Sequence, residues 1–348
     1  MTSNSPAVDD IERVIGAHLA EWDAAHVELS IYGVSEPATI AGAIVEFCYK
    51  ELRVVVAGAL FYRSSAGAVA GLELDDGRRV VVKAHQPDWT RARLEEIVRL
   101  QTHLAGRGLF APTVLAGPAP LGRGLAVVEE YIDRGAVADA HRPEIRRALA
   151  GTLRAVVEAL EPFVATSTLP SQGPWAPLID GLWPTPHSRL FDFEATRAGA
   201  EDIDALAAAA RARMAPAGRL VLGHGDWRAE HVHFEDTTPI VAFDWDSLCK
   251  EPEPALVGYT AHAFCADWSR PNHVQAPTLD EARSFIADYE AARGQPFDSA
   301  ERRLFGGAFA YSVAYSARCG HALGHDDRCK PGNFQYLVAT YGDGLLAL

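Results

Sequence analysis

Two aspartates, Asp226 and Asp244, stand eighteen positions apart, and each closes an apolar run. The first lies in His224-Gly225-Asp226-Trp227-Arg228-Ala229-Glu230-His231, after Leu220-Val221-Leu222. The second lies in Phe243-Asp244-Trp245-Asp246, after Pro239-Ile240-Val241-Ala242. Short apolar runs bounded by polar residues read as strands, so the pattern is strand, exposed loop, strand. A carboxylate carried on such a loop can accept the proton of an attacking hydroxyl, and Gly225 is expected to allow a backbone conformation closed to other residues. Asp244 would be a poor core residue but a suitable hard oxygen ligand for a divalent cation. Asp246 has two readings, a second ligand or a cap for Ser247, and His224 is expected to orient the loop by hydrogen bonds. Such a set suits phosphoryl transfer, which needs in-line placement, a cation on the donor phosphates and a metal against the developing charge. Lys83, at the end of Arg79-Val80-Val81-Val82, can supply the cation, with Glu96 on the following helix as its partner.

The elements that must position these groups change character along the chain. Residues 9–24, with Ile11, Val14, Ile15, Leu19 and Trp22 at helical spacing, and residues 36–50, starting near Pro37, form a helical extension. From Arg53 the texture turns to short β runs, with Asp75-Asp76-Gly77 as the turn of a tight hairpin. A helix over about 90–107 interrupts them, and Leu125 to Tyr131 is another strand. A small antiparallel sheet follows. Beyond Gly135 the pattern is mainly helical, at 143–163, 200–214, 253–267, 279–293, 299–322 and 332–346, with a long loop over 166–190.

The chain has 348 residues, 48% hydrophobic, enough for a large core and for two lobes. No run reaches the roughly 18 apolar residues of a membrane helix, and the N-terminus lacks signal-peptide character. The five cysteines are scattered without a CxxC pair, so a reducing cytoplasm is the expected setting. A formal net charge of −14 argues against nucleic acid and mildly favours cationic ligands.

Leu222-Gly223-His224-Gly225-Asp226 with Phe243-Asp244-Trp245-Asp246 resembles the aminoglycoside phosphotransferase and choline kinase family over roughly residues 53–348. The resemblance implies an α+β, two-lobed protein-kinase-like fold: a helical extension over 1–52, a β-rich N-lobe over 53–132 and a mainly helical C-lobe over 133–348. It implies ATP and Mg²⁺ as cofactors and a small-molecule hydroxyl acceptor. Asp226 would be the catalytic base, Asp244 the metal ligand, and Lys83 with Glu96 the contact to the α/β-phosphates. Adenine would be held by backbone groups of Val128 to Tyr131, including Glu129 and Tyr131, and the Ser64-Ser65-Ala66-Gly67-Ala68 loop would cover the phosphates. His231 departs from the family, which has Asn there. Imidazole suits Zn²⁺, Cu²⁺ or Fe²⁺ better than Mg²⁺, so His231 either ligates the metal directly, holds it through a water, or leaves it to Asp244 and the phosphates. Kept at the metal site as a neutral imidazole, it would let Mn²⁺ substitute and make activity weaken in mild acid.

Two other classes compete. His224, Asp226, His231 and His233 form an H-x-D-x4-H-x-H set of the kind used by metal-dependent hydrolases and oxygenases. A catalytically inactive nucleotide-binding pseudokinase is the third reading, motivated by His231. The acceptor is expected over the C-terminal half, near Trp183 to His187. Glu251 and Glu253 either attract a cationic acceptor or form a solvated face. Trp268, Tyr311 and Tyr315 either line the acceptor site or fill the core.

Overall fold

The computed structural model describes residues 6–21, 25–170, 181–186, 188, 190–215, 217–270 and 272–348. Trp22 and His187 lie outside them. The chain divides into two compact units, Met1–Gly106 with Pro112–Asp133, and Arg107–Ala111 with Arg134–Leu348.

Unit 1 is built on a five-stranded antiparallel sheet in the order β1-β2-β3-β5-β4, comprising β1 Val56–Ser64, β2 Ala68–Leu74, β3 Arg79–Ala84, β4 Val114–Leu121 and β5 Gly124–Glu130. The central strand β3 pairs Val82 with Ala70 on one side and Val128 on the other. One face of the sheet buries Val56, Tyr62, Leu72, Val80 and Val82 together with residues of α1 Pro6–Glu21, α2 His26–Ile31 and α3 Pro37–Leu52. The N-terminal helices therefore share a core with the sheet. Helix α4, Arg91–Gly106, buries Leu94, Ile97, Leu100 and Leu104 along one stripe. Strand β4 runs through Gly117, Pro118 and Pro120, residues that disfavour a strand; as an edge strand with irregular register it tolerates the missing donors.

Unit 2 contains α5 Pro143–Leu160, α6 Glu201–Arg213, α7 Glu253–Ala263, α8 Leu279–Arg293, α9 Ser299–Ala322 and α10 Phe334–Tyr341. Two small sheets join them: β7 Leu220–His224 with β10 Leu248–Pro252, and β6 Ala136–Val137 with β8 Val232–Glu235 and β9 Thr238–Ala242. Capping boxes at Thr278/Glu281 and Asp298/Glu301 start α8 and α9 by satisfying their first free N–H groups. Helix α9 is central and mostly buried, and α7 approaches it where a Cβ on Gly258 would fall 2.7 Å from the Phe305 carbonyl oxygen. Among the described residues no helix is long and apolar enough to cross a membrane.

Glu251 and Glu253 are buried, which removes both the cation-attracting and the solvated-face readings. Glu253 is fully buried and holds Arg219 at 2.9 Å, Arg293 at 3.3 Å and the Tyr289 hydroxyl at 2.8 Å. Burial raises its pKa, but Arg219, Tyr289 and Arg293 together hold it below the usual carboxylate value. Removing one partner of a buried ion pair leaves uncompensated charge, so Glu253→Ala should destabilise the protein by about 3–5 kcal/mol in urea unfolding. Because this carboxyl is depressed on folding, its contribution is present above the unfolded pKa of about 4.3 and lost as pH falls below it. The wild-type-minus-variant difference in unfolding free energy should therefore shrink in acid.

Candidate active site

Strand β7 ends at His224, paired with Leu248 of β10, so the chain leaves the sheet into the Gly225-Asp226 turn. Gly225 is favoured, but not for the expected reason. Its φ is not positive; a Cβ would press to 3.1 Å from both the Ser247 carbonyl oxygen and Cys249 Sγ. Its N–H donates to that same Ser247 oxygen at 2.8 Å. The left-handed residue of the site is Asp244, at φ 64°, a conformation Asp tolerates better than most residues and one that turns its carboxylate out of the β9 direction.

His224 has no exposed surface and orients both loops. Its Nδ1 accepts the Asp226 N–H at 3.2 Å, and its Nε2–H donates to the Phe243 carbonyl at 2.9 Å. Trp227 and Trp245, both buried, meet its ring edge-on at 5.4 Å each. Burial, with His231 nearby, pushes the His224 pKa down to about 4, against the pull of Asp244 and Asp226. The imidazole is neutral at physiological pH, and both nitrogens are committed.

His231 ends a short 3₁₀ turn, Ala229–His231, and bonds through Nδ1 to the Asp226 carbonyl at 2.9 Å. That leaves Nε2 as its ligand atom. Asp226, His231 and Asp244 bring one donor atom each within 4.8 Å of one another, two hard oxygens and one imidazole nitrogen. Asp246 is outside this group, and it is Asp244 Oδ2 that receives the Ser247 hydroxyl, at 3.2 Å. His233 lies on β8, bonded to the Arg134 carbonyl at 3.3 Å and packed on Phe243. The H-x-D-x4-H-x-H set is thus divided: His224 has no free nitrogen and His233 stands apart.

Sequence reasoning missed Arg228. Its Nη1 pairs with Asp226 Oδ1 and its Nε donates to Glu230 at 3.0 Å. Burial opposes ionisation of Asp226, but Arg228 and then His231 outweigh it and hold this carboxyl far below its ordinary range. The D-x-R spacing was the available signal. Tyr311, by contrast, is core, bonded to the Leu182 carbonyl and packed with Trp183, while Trp268 is 52% exposed.

In unit 1, Lys83 is buried on the central strand, opposite Val69 and Val127. Glu96 forks onto Arg99 at 2.7 and 2.8 Å. Glu129 accepts from Gln101 at 3.0 Å, so its side chain points toward α4. The N–H groups of Glu130 and Tyr131 are committed to the Thr113 and Arg79 carbonyls, and the Tyr131 ring lies under the Arg79 guanidinium. Ser65-Ala66-Gly67 forms the β1–β2 turn, where a Cβ on Gly67 would fall 2.7 Å from the Ala84 carbonyl oxygen. Ser64 is turned elsewhere, its N–H and hydroxyl both on His18 Nε2 at 3.1 and 2.9 Å.

A second donor group, Asp139, His141 and His273, is better explained as a brace. His141 sits between Glu281 Oε1 at 2.8 Å and the Val274 carbonyl at 3.2 Å, two acceptors that call for an imidazolium. Cys265 and Glu281 beside it push its pKa up to about 11, and a protonated ring cannot ligate.

A sequence profile of the phosphotransferase enzyme family matches residues 70–305. The chain belongs to that family. This phosphotransferase acts on an alcohol group as acceptor. Its protein-kinase-like α+β fold is similar to that of an amicoumacin kinase in complex with AMP-PNP, Ca²⁺ and Ami, with TM-score 0.56, 11% identity, and coverage of 83% of this chain and 87% of that one. A spectinomycin phosphotransferase in complex with ADP and spectinomycin gives TM-score 0.55 at 12% identity, over 86% and 97% of the two chains. An aminoglycoside phosphotransferase from Alicyclobacillus acidocaldarius gives 0.51 at 14%, over 83% and 91%. At these identities the likeness shows the fold. No functionally curated protein matches the sequence.

Gly225→Ala tests the local geometry. The added methyl requires the Ser247 carbonyl or Cys249 Sγ to give by a few tenths of an ångström, which moves the β10 backbone or the Asp226 turn by a similar amount. The variant should lose kcat severalfold, less than the roughly hundredfold expected for a full ångström, while its melting temperature changes little; wild-type kcat would contradict the role given to Gly225.

Proposed function

We propose that this protein is an ATP-dependent small-molecule kinase that transfers the γ-phosphate to a hydroxyl of an antibiotic, amino sugar or similar metabolite. The supporting observation is the convergence of Asp226, His231 and Asp244, whose donor atoms lie within 4.8 Å of one another on loops tied by His224. The similar amicoumacin kinase and spectinomycin phosphotransferase, in complex with AMP-PNP and ADP respectively, favour ATP as donor.

In this reading Asp226 orients the acceptor hydroxyl by accepting its hydrogen bond. A carboxylate held so far below its ordinary range is a weak base, so proton transfer to it comes late, as the new P–O bond forms, in keeping with a loose phosphoryl-transfer transition state. Arg228 keeps Asp226 ionised and has further guanidinium donors for the transferring phosphoryl group. Asp244 and His231 fit a divalent cation, Mg²⁺ or Mn²⁺, through one carboxylate oxygen and Nε2; when bound, such an ion supplies positive charge against the phosphoryl oxygens. Lys83 contacts the donor phosphates and the Ser65–Gly67 turn covers them. With the Glu130 and Tyr131 N–H groups already committed, adenine is left to the remaining backbone groups of the connector. The acceptor is drawn from hydroxylated small molecules, with the cationic ones favoured by the overall negative charge.

A coupled ADP-release screen over amino sugars, sugars, amines and antibiotics identifies the acceptor and separates a kinase from an inactive nucleotide binder. Asp226→Ala should lower kcat by about 10²–10⁴ with ATP affinity kept, the range for loss of a general base; retained turnover would refute the assignment. His231→Asn should raise the activity ratio of Mg²⁺ over Mn²⁺, since an amide oxygen is the harder ligand. An unchanged ratio would remove His231 from the metal site.

A further inference from the structure

Strand β1 is an edge of the unit 1 sheet, and among the described residues its outward N–H groups have no strand to pair with. Helix α1 supplies acceptors for two of them. Asp10 Oδ2 takes the Ala59 N–H at 2.7 Å, beside the register shift in the middle of β1. His18, two turns further along the same helix, takes the Ser64 N–H on Nε2 at 3.1 Å, and the Ser64 hydroxyl lies 2.9 Å from the same nitrogen. An N–H can only donate, so His18 Nε2 carries a lone pair and the ring is the neutral Nδ1–H tautomer. The ring is 5% exposed and meets Tyr62 edge-on at 5.6 Å, while Tyr62 donates its hydroxyl to buried Glu28 of α2 at 2.9 Å. Two N-terminal helices thus grip the last turn-side residues of β1.

Ser64 is the residue from which the Ser65-Ala66-Gly67 turn departs. Within the turn, the Ser65 N–H donates to the Gly67 carbonyl at 2.9 Å and Gln86 reaches the Ala66 carbonyl at 3.1 Å. The anchor at the β1 side is His18. We infer that His18 is a positioning residue for ATP: by holding the Ser64 N–H and hydroxyl it sets the height of the turn that covers the phosphates, making the C-terminal end of α1 a support for the nucleotide-binding turn. This inference rests on the reading that the turn contacts ATP. It concerns a segment that lies ahead of the family match, which begins at residue 70.

The contact is acid-sensitive by construction. An imidazolium has no lone pair, so protonation of His18 converts the Ser64 N–H contact from a hydrogen bond into a clash of donors. Burial lowers the pKa of His18; Glu28 from α2 and Glu21 from its own helix raise it, and Arg63 from β1 lowers it. The anchor is therefore intact at neutral pH and fails only below the ordinary imidazole range.

The test compares wild type with His18→Ala, His18→Gln and Asp10→Ala, measuring KM for ATP, kcat and the Kd of a non-hydrolysable ATP analogue, with melting temperature as the folding control. Loss of one buried hydrogen bond to the turn should raise KM and Kd about tenfold in His18→Ala with kcat unchanged. His18→Gln, whose amide oxygen can accept from Ser64, should restore most of the affinity and flatten its decline in acid below the ordinary imidazole range. Asp10→Ala should lower the melting temperature without changing KM. Wild-type KM in a folded His18→Ala protein would overturn the inference alone. An equal rise in His18→Ala and Asp10→Ala would also overturn it, by pointing to general helix docking. A wild type that binds no ATP analogue would overturn it together with the reading of the turn.

Discussion

A neutral imidazole, His224, sealed between two tryptophans, fixes where both acidic residues of the site stand. It accepts from the Asp226 N–H on one side and donates to the Phe243 carbonyl, one residue before Asp244, on the other. Only the Nε2–H tautomer can do both. A charged ring would lose its acceptor and place a cation against Trp227 and Trp245, and burial prevents this by holding the pKa near 4. The Gly225 N–H on the Ser247 carbonyl and the Phe243 N–H on the His231 carbonyl add two more ties between the loops. Position of the carboxylates is thereby set by backbone geometry rather than by flexible side chains.

From that anchor the rest of unit 2 follows outward. Arg228 pairs with Asp226 and Glu230, Glu230 receives the Trp268 N–H at 3.3 Å, and the backbone of Ala229 and Glu230 bonds to the Phe264 and Ala266 carbonyls. The segment after α7 is thus stitched to the loop that carries Asp226. The His141–Glu281 brace holds the far side of the same segment, through the Val274 carbonyl and the N-terminus of α8. A change in this segment has a direct mechanical route to Asp226.

The elements with strong local signals were legible in the sequence. Helices α8 and α9 match their expected limits because capping boxes and apolar periodicity agree, and β3 and β5 are runs of Val flanked by turn residues. The juxtaposition of Asp226 and Asp244 was legible because each closes an apolar run that reads as a strand leading into a loop. What escaped depends on partners far away in the chain. Strand β4 is hidden by Pro118 and Pro120, whose penalty disappears at a sheet edge. The burial of Glu251 and Glu253 depends, for Glu253, on Arg219, Tyr289 and Arg293 arriving from three other segments. Ser64 looked like a phosphate-loop serine because its partner, His18, is 46 residues away. Gly225 was recognised as necessary but for its torsional freedom, when the constraint is the closeness of Ser247 and Cys249. Arg228 went unassigned because its only signal, the D-x-R spacing, is weak until the pairing with Asp226 is seen.

The central claim is that Asp226, His231 and Asp244 form one divalent-cation and phosphoryl-transfer site. It is tested most directly by electron paramagnetic resonance of Mn²⁺ bound with a non-hydrolysable ATP analogue, in wild type and in Asp244→Ala. The account predicts stoichiometric, tightly held Mn²⁺ in wild type, with a nitrogen coupling from His231, and loss of that species in the variant. Equal Mn²⁺ binding in the two proteins, or none in either, would contradict it.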